Sequence, residues 1–93
     1  MRAAAADPAP RDDDMDEAAR KLDKALGHAI RVMRAERQWS QEDLVARSGI
    51  SKRTIGRIET GQSSMQMPQM LRIATALGVS LGDLLTRAEE LGG

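Results

Sequence analysis

From Met15 onward, apolar residues recur at spacings of three and four: Met15, Ala18, Ala19, Leu22, Leu26, Ala29, Ile30 and Met33. That is the period of an amphipathic helix, and it predicts a first helix ending near Arg37. Leu44 and Val45 mark the apolar side of a short second helix, and Ile55 and Ile58 that of a third. Met67, Met70, Leu71, Ala74 and Leu77 supply a fourth stripe. A fifth helix is expected from Leu81, Leu84 and Leu85, its spacing continued by Ala88 and Leu91.

The breaks between stripes carry stop and start signals. Ser40 is placed to cap the second helix, with Asp43 three residues on completing a capping box. Gly49 closes that helix, Ser51 caps the third and Gly61 ends it. Two short helices around the turn Gly49-Ile50-Ser51 form a helix-turn-helix unit. Pro68 is tolerated in the first turn of the fourth helix, Gly78 stops it, and Ser80 caps the fifth. Asp12, Asp13, Asp14 and Asp16 suit the start of the first helix, where the dipole favours negative charge. Residues 1–14 read as an acidic, alanine- and proline-containing disordered tail, and 15–91 as a single folded domain.

Composition supports an all-α chain. There is no Phe or Tyr and a single Trp, and Leu, Ile, Ala and Met dominate over the β-branched and aromatic side chains that strands use. The absence of cysteine and the single His28 exclude a disulfide framework and a thiolate or imidazole metal site. No stretch approaches the roughly 20 apolar residues of a bilayer span, and the start lacks the apolar run of a signal peptide, so a soluble, cytoplasmic protein is expected. The zero net charge conceals a segregation. Residues 1–19 carry net −4, residues 20–72 net +6 and residues 73–93 net −2, so a basic module lies between acidic ends.

At roughly 100° per residue, the third helix turns Ile55, Ile58 and Ser51 to one side and Arg53, Gly56, Arg57 and Thr60 to the other. Lys52 lies near the N-terminal edge of the outer face. A helix fits the DNA major groove, where Arg and Lys bond guanine O6 and N7, so Lys52, Arg53 and Arg57 are the candidate base readers. Gly56 costs helix stability but clears the centre of that face for close approach.

The run from Ser40 to Gly61, followed by Leu71-Arg72-Ile73-Ala74 and Ala76-Leu77-Gly78-Val79-Ser80, resembles the lambda-repressor-like, or Xre/Cro type, helix-turn-helix DNA-binding domains over about residues 22 to 86. The resemblance implies an all-α, five-helix domain whose helices 2 and 3 form the helix-turn-helix. It implies backbone-phosphate contacts from Ser40, Gln41 and Thr60, to which Ser51 and Thr54 are added, and a structural salt bridge between Arg34 and Glu59. The chain departs from the family pattern at Val45, where alanine is usual, and at Met65, where proline is common. The loop 62–66 has no basic residue, which shifts the expected phosphate contacts toward helices two and three and toward Arg31 or Arg37.

Other features read as structural: Trp39, Met65, Met67 and Met70 as core, and His28 as a surface or boundary residue. Leu81, Leu84, Leu85 and Leu91 exceed what a domain of this size easily covers, which points to a homodimer interface. Two copies would read an inverted-repeat operator in double-stranded DNA, as a transcriptional regulator and most simply a repressor. No nucleophile-base pair, phosphate-cradling glycine loop or metal cluster is present, so neither enzymatic activity nor a cofactor or small-molecule ligand is expected. The alternative from another class is a protein-interaction module, such as an antitoxin or a coactivator-like bridge, whose acidic tail folds on a partner.

Overall fold

The computed structural model describes Ala9 and residues 11–92. Among them the chain forms α1 (Asp12–Glu36), α2 (Gln41–Ser48), α3 (Lys52–Glu59), α4 (Met67–Leu77) and α5 (Leu81–Gly92), and no strand. Most of the predicted tail, residues 1–8 and 10, lies outside the described residues. Asp12, Asp13 and Asp14 form the first turn of α1, and the N-cap before them is Arg11, which makes no side-chain capping bond.

The helix ends follow local chemistry. The Ser40 hydroxyl accepts from the Asp43 amide at 3.1 Å, and the Asp43 carboxylate accepts from the Ser40 amide at 2.8 Å, a complete capping box. Ser80 and Asp83 repeat it at the start of α5. Gly49 adopts φ 75° after α2, the left-handed conformation that lets the chain reverse into α3 without a side-chain clash. The end of α1 has the same left-handed residue without a glycine. Gln38 has φ 59°, its amide donates to Ala35 and that of Trp39 to Arg34, the paired bonds of a Schellman motif. Trp39 follows that turn, and it packs against the core with the Arg47 guanidinium 4.2 Å from its ring.

α1 packs along α5 and against α3, α2 against α3 and α4, and α4 against α5. The core at their centre is Leu26, Ala29, Ile30, Met33, Leu44, Ile50, Ile55, Ile58, Ile73, Ala74, Leu77, Leu84 and Ala88. Each large aliphatic side chain buried there stabilises the fold by about 1.5–3 kcal/mol. The crossing of α1 over α3 is close because Gly27 has no side chain at the point where it meets the Ile58 carbonyl.

The structure corrects parts of the periodic reading. Met67 and Leu71 are 60% and 56% exposed, because α4 buries only the side carrying Ile73, Ala74 and Leu77. Met65 and Met70 do pack against the core. Met15 and Leu22 are likewise exposed, since the first turns of α1 extend past the body of the domain. Leu84, expected at an interface between chains, is fully enclosed by its own chain; Leu85 also packs on the core, leaving Leu91 as the exposed leucine of α5.

Candidate nucleic-acid interface

α3 has one apolar and one cationic face. Ile55 and Ile58 hold it to the core, and Ser51 caps it by accepting from the Thr54 amide. Opposite them, Arg53 and Arg57 are exposed, and neither takes part in an ion pair or side-chain hydrogen bond among the described residues. Between them a β-carbon on Gly56 would meet nothing within 4 Å, so no packing inside the chain requires glycine there. The result is a flat patch flanked by two free guanidinium groups, each able to donate in a bidentate fork.

Lys52 is placed differently. Its ammonium donates to Glu42 Oε1 at 2.6 Å, a bridge between α3 and α2 in which both side chains are largely exposed. The hydrogen bond from Lys52, helped by a backbone bond and the nearby charge, holds the Glu42 carboxyl below its ordinary range. No sequence spacing signals this pair, because the two residues lie on different helices.

Of the expected phosphate-contacting residues, Ser40, Gln41, Ser51 and Thr54 lie at the α2 and α3 N-termini and Thr60 at the C-cap of α3, but their polar atoms already serve the fold. Ser40 and Ser51 cap helices, with the Ser51 hydroxyl also donating to Thr54. The Thr60 hydroxyl donates to the Gly56 and Arg57 carbonyls. Gln41 Nε2 donates to Glu59 Oε1 at 3.1 Å, so its amide points inward. The backbone amides opening α2 and α3 remain a positive pole near this surface.

Behind the patch, Arg34 forks onto Glu59: Nε donates to Oε2 at 2.8 Å and Nη2 to Oε1 at 3.0 Å, while Nη1 donates to the Trp39 carbonyl. Glu59 is 6% exposed and the hydrogen bond to it raises the pKa of Arg34 further. This network ties α1, α2 and α3 together and fixes the angle at which α3 is presented. Arg37, considered as a phosphate contact, is spent inside the chain, donating to the Met33 and Leu77 carbonyls. Arg31 is exposed and lies 3.3 Å from His28 Nδ1, a neighbour that local sequence did not suggest as a partner. Arg72 Nη1 reaches the Ser48 carbonyl at 3.5 Å beside the turn, a cation near the interface that sequence reasoning missed.

Among the described residues there is no cluster suited to a metal ion, and no helix is long and apolar enough to cross a membrane.

The family model described as a helix-turn-helix domain matches residues 25–88. The chain is similar to the uncharacterized HTH-type transcriptional regulator y4dJ of Sinorhizobium fredii, with 33% identity over 67 residues that span 72% of this chain and 87% of the relative. It is 31% identical over 65 residues to the HTH-type transcriptional regulator SutR of Escherichia coli, covering 70% of this chain and 36% of SutR. Among solved structures, the clp gene regulator ClgR of Corynebacterium glutamicum superposes with a TM-score of 0.69 at 29% identity, over 74% of this chain and 90% of that one. The restriction-modification controller protein C.AhdI of Aeromonas hydrophila gives 0.65 at 31% identity, over 67% of this chain and 94% of that one.

Proposed function

The chain belongs to the helix-turn-helix domain family, with the five-helix lambda-repressor-like fold of DNA-binding transcriptional regulators, and from that membership we propose that it binds a specific operator by laying α3 in the major groove. Arg53 and Arg57 read base edges in this proposal. Lys52 joins them by exchanging Glu42 for the nucleic acid.

The observation that carries the reading is the outer face of α3, where two unpartnered guanidinium groups flank a glycine with open space beyond it. The backbone amides at the starts of α2 and α3, with Ser40, Ser51 and Thr54 beside them, set register against the phosphates; Gln41 joins them by giving up Glu59, and Thr60 from the C-terminal end of α3. One such helix reads only a few base pairs, so two copies on an inverted repeat, with half-sites about 34 Å apart, are the economical arrangement. Occupancy of a promoter in the cytoplasm then represses transcription. The regulators it resembles support a binding role rather than catalysis.

The test is selection of bound oligonucleotides followed by Arg53→Ala and Arg57→Ala. A base reader loses about 1–3 kcal/mol and relaxes preference at one position. Equal loss on all sequences reassigns the residue to the phosphates, and failure to bind any duplex at low salt overturns the proposal.

A further inference from the structure

The apolar face of α1 does not stop where the domain stops. Leu26, Ala29, Ile30 and Met33 bury it against α3, α4 and α5, yet the same face continues through Leu22, Ala19, Ala18 and Met15 into solvent. Cover thins out where α5 ends: Gly92 approaches so closely that a β-carbon on it would lie 2.6 Å from that of Ala25, and Lys21 and Leu22 line a recess with Ala88 and Glu89. Before them, residues 12–20 are all exposed, and the molecule is 53 Å long but only 24 by 22 Å across. A projecting helix of that length is marginal in water unless its apolar side is covered.

Charge along the projection identifies what covers it. Asp12, Asp13, Asp14, Asp16 and Glu17 occupy its outer half with Arg11 at the N-cap as the one base, 3.9 and 3.8 Å from Asp13 and Asp14. Arg20, Lys21 and Lys24 occupy its inner half with Asp23 as the one acid. Lys21 lies 3.8 Å from Glu17, an exposed pair that leaves both halves with a net charge of opposite sign. Asp23 is itself engaged by the Ser64 hydroxyl. Parallel helices of this sequence set like charges side by side; antiparallel ones set the acidic half of each against the basic half of the other. The alanines at the centre permit close approach, and the acidic end of one copy arrives beside the recess of the other that Lys21, Lys24, Ala25 and His28 line.

We propose that the occupant is a second copy of this chain, with the two α1 helices paired antiparallel across Met15, Ala18, Ala19 and Leu22. This deepens the pairing in the proposed function and rests on it, moving the contact from the leucines of α5 to α1.

Sedimentation of the full chain without DNA tests it. The expected result is a dimer that weakens as salt rises, and a monomer in Met15→Glu/Leu22→Glu, whose substituted positions are 52% and 43% exposed and leave the domain folded by circular dichroism. Because the chain has no cysteine, introduced thiols report orientation. Ala19→Cys crosslinks to itself, Met15→Cys does not, and a mixture of Met15→Cys with Leu22→Cys does. A wild-type chain that stays monomeric, a double variant that stays dimeric, or Met15→Cys that crosslinks to itself as readily as the mixture overturns the proposal. Binding to a single half-site is read separately on the double variant and on the wild type. Its loss in both, with the dimer intact in the wild type, removes the DNA reading and leaves the self-association standing.

Discussion

Gly27 on α1 faces the carbonyl oxygen of Ile58 on α3 so closely that a methyl group at position 27 would overlap it. The obstruction is backbone, which cannot rotate aside as a side chain can. The reading helix is therefore held to the scaffold at its C-terminal end by a contact that only glycine permits.

Gly27→Ala is accordingly expected to destabilise the domain although alanine favours helix by about 1 kcal/mol. Overpacking of this kind costs typically about 1–3 kcal/mol, and an immovable neighbour places it at the upper end. Denaturant unfolding checks this, with a lowered midpoint and unchanged slope.

Gly56 is the opposite case. With nothing within 4 Å of its missing side chain, Gly56→Ala is expected to stabilise the folded protein by about 0.5–1 kcal/mol. Operator affinity should fall in the same variant, because the methyl stands on the face that approaches DNA. Thermal melting and binding titration on one sample separate the two effects.

The Arg34–Glu59 fork is nearly enclosed, with the Glu59 side chain 3% exposed. Glu59→Ala leaves Arg34 facing a cavity and also strips the acceptor from Gln41, at a cost of about 3–5 kcal/mol. Arg34→Lys keeps the charge but not the bidentate geometry, and is expected to cost less than Glu59→Ala while still destabilising. Chemical denaturation of both variants ranks them.

Glu42 restrains Lys52 and places negative charge beside the proposed interface. Glu42→Gln releases the lysine, and affinity for duplexes of any sequence should rise about three- to tenfold at low salt, with a steeper salt dependence. Titration of a nonspecific duplex at two ionic strengths measures it.

Acid should act through the same start of α2. Asp43 is held below its ordinary range by the Ser40 amide and then the Ser40 hydroxyl, and Glu42 by the hydrogen bond from Lys52. A lowered folded-state pKa means stability that is present above the ordinary carboxylate range and lost as pH falls through the lowered one. Stability should therefore decline from about pH 4 downward. The decline is expected to be shallower in Asp43→Asn, read from melting temperature against pH.

The legible part of this protein was the part decided within a few residues. Ser40 with Asp43, Gly49 after α2 and the alternation of Ile55 and Ile58 with Arg53 and Arg57 each act through bonds or periods shorter than a helix turn or two, so the chain alone specified five helices, the serine caps of α2, α3 and α5 and a cationic outer face on α3, though not the Arg11 and Gln38 ends of α1. It could not specify which half of each amphipathic stripe is covered. Leu84 is enclosed while Met67, Leu71, Met15 and Leu22 are not, because cover depends on where other helices end. Nor could it show that Lys52 meets Glu42, that Gln41 turns inward to Glu59, or that Arg37 is consumed by the Leu77 carbonyl. Those pairings join different elements of the chain, and only the packing of helices against one another brings their partners within reach.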